Sequence, residues 1–65
     1  MNRYSRYIDN DGRLFILLGI NSKKEGDKWV NKSVDLLNVN AEKVNEVKLE
    51  DFENYINKKL LKQVK

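Results

Sequence analysis

The chain has 65 residues, with 13 Lys and Arg against 10 Asp and Glu, and it contains neither Cys nor His. That length is one small domain, and the two missing residue types exclude disulfides, thiol chemistry, the usual zinc sites and histidine acid–base catalysis. A net charge of +3 fits a polyanion partner, but in an Asn- and Lys-rich chain without Pro it fits the coding bias of an AT-rich genome equally well.

The predicted elements run as follows. "RYSRYIDNDGRLFILLGI" reads as a β-hairpin, with strands over 3–8 and 13–20. In its turn, Asp9 to Gly12, Asp and Asn tolerate left-handed backbone angles and Gly adopts them freely. "NSKKEGD" supplies a second turn around Gly26. "KWVNKSVDLLNV" then alternates, which places a third strand over 28–37. Residues 44–48 read as a short fourth strand; the other reading starts a longer helix at Ala41, capped by Asn40. From Leu49 the period changes. Leu49, Phe52, Ile56, Leu60 and Val64 recur at steps of three or four, which predicts an amphipathic helix over 49–63. Early acids (Glu50, Asp51, Glu53) and late lysines (Lys58, Lys59, Lys62) suit its dipole. The fold class is therefore α+β: a three- to four-stranded antiparallel meander followed by one C-terminal helix.

The stretch "RLFILLGI" is apolar without alternation, so both faces of its strand need cover. Leu14, Ile16, Leu18 and Ile20 form one face, expected under the helix with Val30, Val34 and Leu36. Phe15 and Leu17, with Trp29 and Tyr7, form the other. That second face is expected to be sealed by curling of the sheet, to be an interface with a second copy or another protein, or to act as a stacking platform.

Two resemblances of layout bear on this. Successive short strands ending in "VKLEDFENYI" resemble small SH3-like barrels, which implies a partly closed sheet. "RYIDNDGRLFILL" is similar to the first hairpin of the arm-binding domains of tyrosine recombinases, which set their sheet in the DNA major groove. Neither resemblance brings a diagnostic motif, and neither assigns residues.

The residues argue for binding rather than catalysis. Ser5, Ser22 and Ser33 have no base to activate them, and no Gly-rich phosphate loop is present. "DNDG" lacks the further ligands of a calcium loop and is best read as a turn. No enzyme activity, cofactor, metal or small-molecule substrate is expected. The N-terminus has no apolar core of a secretion signal, and Leu14 to Leu18 falls far short of the roughly 20 residues of a membrane span, so the expected place is the cytoplasm. "NRYSRY" interleaves Arg3 and Arg6 with Tyr4 and Tyr7, a pattern suited to phosphates and stacked bases. With Arg13, Lys23, Lys24 and Lys28 these are the candidate nucleic-acid contacts. The alternative is a small regulator or inhibitor of a protein target, of the kind phages and mobile elements encode, acting through Phe15, Leu17 and Trp29. A homodimer is compatible with either.

Overall fold

Asp9 closes the first hairpin. Its Oδ1 accepts the backbone N–H groups of Asp11 and Arg13 at 2.9 and 2.8 Å, and Gly12 takes φ 83°. The turn joins β1 (Arg6–Asp9) to β2 (Leu14–Glu25) in the computed structural model, which describes residues 4–64. Gly26, at φ 62°, leads the two-residue turn into β3 (Lys28–Asn38). Asn38 Oδ1 accepts the Ala41 N–H at 3.2 Å, and Asn40 Oδ1 accepts the Leu14 N–H at 3.1 Å. These two asparagines fold the chain back into β4 (Lys43–Lys48). Residues 43–48 are thus a strand, and Asn40 braces a turn rather than capping a helix.

β4 runs directly into α1 (Leu49–Asn57), and β5 (Leu61–Val64) follows. The helix is six residues shorter at its C-terminal end than its sequence period predicts. Lys59 adopts φ 60°; its N–H bonds to the Ile56 carbonyl at 3.0 Å and the Leu60 N–H to the Tyr55 carbonyl at 2.8 Å. This pair of bonds is the Schellman stop, which ordinarily uses Gly at the left-handed position. Lys58 and Lys59 therefore lie just past the helix end, and Lys62 sits on a strand.

All five strands form one antiparallel sheet in the order β4-β3-β2-β1-β5. The last strand returns to pair with the first, as a small-barrel layout implies, but β4 and β5 remain separate edges and the sheet is mostly open. The helix packs on β3, β4 and β5. Leu17, Val34 and Phe52 are fully buried; Tyr7, Leu36 and Leu61 complete the core, with Phe15, Val47 and Leu49 against it.

Val34 and Leu36 are buried with Phe52 as expected, but the covered face of β2 is the reverse of the expected one. Leu17 pairs with Leu36 and Phe15 with Tyr7, so this set faces Phe52. Leu18 is an extra residue in β2: the register passes from Leu17↔Leu36 to Gly19↔Asp35. This β-bulge re-phases the strand, so that Ile20, opposite Val34, returns to the covered side. Leu14 and Ile16, opposite Ile8 and Arg6, are left on the outer face. The physical reason is pairing: Phe15 stands opposite Tyr7, whose ring packs edge-to-face on Phe52, and Leu17 stands opposite Leu36, so this set is carried to the helix side.

Three expectations follow. Leu17→Ala removes buried volume worth roughly 2–5 kcal/mol, close to the whole margin of so small a domain; circular dichroism should find it largely unfolded, whereas Trp29→Ala, at a site 71% exposed, should melt near the parent. Lys59→Gly relieves a left-handed lysine costing about 1 kcal/mol or more; it should raise Tm by several degrees, and a lowered Tm would mean the helix does not stop there. Burial pushes the Tyr7 phenol above its ordinary value of 10.0, against a smaller downward pull from its Ser5 hydrogen bond. The folded state therefore holds that proton more tightly, and the associated stability is intact below about pH 10 and lost as pH rises through the raised value. Above pH 10 the parent should lose Tm faster than Tyr7→Phe; parallel losses would remove Tyr7 from the alkaline limb.

Candidate functional site

The most prominent surface feature is the far end of the β2–β3 hairpin. β1 pairs with β2 only as far as Ile16, and β4 pairs with β3 only from Ser33 onward. Residues 22–31 pair with one another alone, as a two-stranded ribbon. At about 3.3 Å per residue this arm reaches roughly 15 Å beyond the body, and the molecule measures 40 × 24 × 18 Å.

The ribbon is polar, basic and tipped by one large aromatic. Lys24 stands directly opposite Trp29, and Ser22 opposite Asn31, so these four share a face. Ser22 Oγ donates to Asn31 Oδ1 at 2.7 Å. Lys23, opposite Val30, and Lys28, opposite Glu25, lie on the reverse face. Lys32, at the ribbon's base, pairs with Glu25, which lies next to the turn. Among the described residues Lys23, Lys24 and Lys28 make no ion pair, and Trp29 is 71% exposed.

The other residues singled out from the sequence lie elsewhere. Arg3 lies outside the described residues. Tyr4 is exposed, and its N–H bonds to the Leu17 carbonyl at 2.6 Å. Arg6 stands opposite Ile16, nine residues along β2 from the turn and thus about 30 Å from the ribbon tip. Tyr7 is not a stacking platform: it is buried edge-to-face on Phe52, with ring centroids 5.3 Å apart. Arg13 folds back on its own turn, 3.5 Å from Asp9 and 3.3 Å from Asp11, which neutralises it. The basic and aromatic candidates therefore divide into two groups at opposite ends. Leu17 is fully buried in the core, and Phe15, half-buried, packs against it on the same face. Trp29 is well separated from them.

Sequence reasoning missed a polar cluster on the outer face. The Asn21 side-chain amide donates to Ser33 Oγ and Asp35 Oδ1 at 3.1 Å each and to Glu46 Oε2 at 3.2 Å. Ser33 Oγ donates to the same Glu46 oxygen at 2.6 Å. Each contributor is an ordinary polar residue on its own strand; only the register brings them together.

Two concavities flank the helix. An open shelf of about 760 Å³ lies between Asn31 to Ser33, the end of β4 and Glu50 and Glu53. A smaller cleft of about 250 Å³, mostly apolar, lies between Phe15, Leu36 and Val47 on one side and Tyr55, Leu60 and Leu61 on the other. It marks the seam where β4 and β5 do not meet. Among the described residues no acidic cluster is arranged to hold a metal ion, and no helix is long and apolar enough to cross a membrane. Compared with protein-family models, curated proteins and solved structures, the chain matches none.

Proposed function

We propose that this is a small nucleic-acid-binding protein, not an enzyme, and that the β2–β3 ribbon is its contact element. The observation that carries the reading is Trp29, 71% exposed on a protruding ribbon opposite Lys24. A core this small has use for every aromatic, yet its one tryptophan is held in water beside lysines free of ion pairs. The major groove of a duplex, about 12 Å wide, admits a two-stranded ribbon. Lys23, Lys24 and Lys28 then meet phosphates, while Trp29 offers a flat ring to bases. Arg6, some 30 Å away by strand length, adds attraction at a distance and no contact at the ribbon.

The test is fluorescence anisotropy with single- and double-stranded oligonucleotides over a salt series. Three phosphate contacts give a slope of log affinity on log salt of about −3 on duplex DNA. Replacing any one of Lys23, Lys24 or Lys28 by Gln should flatten that slope by about 1. Trp29→Ala should weaken binding by about 1–3 kcal/mol and leave the slope unchanged. Arg6→Ala should change affinity little. Absence of binding at low salt, or binding indifferent to Trp29, would overturn the ribbon as the contact element.

A further inference from the structure

The outer face of the sheet is the second surface that needs a partner. Ile16, Leu37 and Val44 lie across its middle, opposite one another on β2, β3 and β4, the first two half-buried and Val44 exposed. Val44 is 56% exposed, and a Cβ added at Gly19, beside them, would meet nothing within 4 Å. The helix packs on the other side, against Leu17, Val34 and Leu36.

The two margins of this apolar band carry opposite charge. On the β1–β5 side stand Arg6, opposite Val64, and Lys62, opposite Ile8. On the β3–β4 side stand Asp35 and Glu46, which face each other across the strands. Both carboxylates converge on the Asn21 amide. Among the described residues none of these four charged groups has an ion-pair partner, nor has Lys48, one pair further along β4. Lys48 stands beyond Asp35 and Glu46 toward the ribbon, so beside the apolar band itself Arg6 and Lys62 on one margin oppose Asp35 and Glu46 on the other, which makes the face complementary to itself.

We infer that a second copy of this chain covers the face, related by a two-fold axis running along the strands. Rotation about that axis lays the β1–β5 margin of one copy over the β3–β4 margin of the other. Arg6 then stands over Leu37 of the second copy. Asp35 of that copy is two residues away, about 7 Å along the strand, within reach of a guanidinium. The interface is isologous, so each ion pair forms twice. A two-fold axis across the strands would instead set like margins together, acid on acid. The charge pattern thus selects one arrangement, and that arrangement has a consequence: the two ribbons project from the same end of the dimer. They would act as a bivalent clamp, with the second contact made at high effective concentration.

Light scattering and sedimentation across a concentration series read the assembly directly, without nucleic acid, so their outcome is independent of the ribbon's function. A dimer is expected. Ile16→Glu should raise its dissociation constant at least tenfold while the circular dichroism spectrum stays native. Arg6→Glu and Asp35→Arg should each weaken the dimer, and the double variant should restore it. Spin labels on Lys28→Cys should lie closer than the 40 Å length of one molecule. A chain that stays monomeric at millimolar concentration overturns the inference, as does a dimer untouched by Ile16→Glu. Failure of the double variant to restore association, or a spin-label distance above 40 Å, overturns the two-fold arrangement. A monomer in which Ile16→Glu abolishes capture of a different protein would give the face to that partner instead.

Discussion

Tyr7 and Phe52 meet edge to face, 5.3 Å apart and 82° inclined, and the rest of the fold depends on that contact. Tyr7 sits on β1, between β2 and β5. Phe52 sits on the helix that follows β4. The sheet's two edges do not pair, so the aromatic contact is what draws its ends together around a common core. Perpendicular rings of this kind contribute about 0.5–1.5 kcal/mol beyond the area they bury, a substantial share of the stability of a 65-residue domain. It also decides which face of β2 is inside, since Phe15 lies directly opposite Tyr7.

Much of this was legible in the residues. The Asp9–Gly12 turn, the Gly26 turn, the alternation after Lys28 and the amphipathic start at Leu49 each have a local chemical cause, and each element formed, although β2 continues to Glu25 through residues 21–25 that read as part of the second turn. What escaped had no local cause. The helix ends at a left-handed lysine, where a Gly would have announced the stop. β5 was hidden because Leu60 and Val64 continue a helical spacing by coincidence. The inside face of β2 could not be read from a strand apolar on both sides, because pairing with Tyr7 across β1 makes that choice and the bulge at Leu18 then re-phases the residues beyond it.

The candidate site divides in the same way. Lysines on a turn and an aromatic beside them were visible as types. That the strands outrun their neighbours and turn those residues into a free ribbon is a property of pairing lengths, which no single segment encodes. "NRYSRY" shows the converse. Its rhythm of arginine and tyrosine is genuine, but strand alternation sends Tyr7 inward and Arg6 outward, and the pattern is dismantled by the fold that contains it.

The ribbon's isolation sets its timescale as well as its reach. Its hydrogen bonds are backed by no third strand and no helix, and two-stranded hairpins are marginal in water by themselves. Its amides therefore exchange with solvent through local opening, well before those of the core strands. The arm can fray, twist and re-form in microseconds while Leu17 and Phe52 stay packed. A contact element built this way does not need its bound shape in advance. It can settle its twist against whatever surface receives it, and the cost of that adjustment stays within about ten residues.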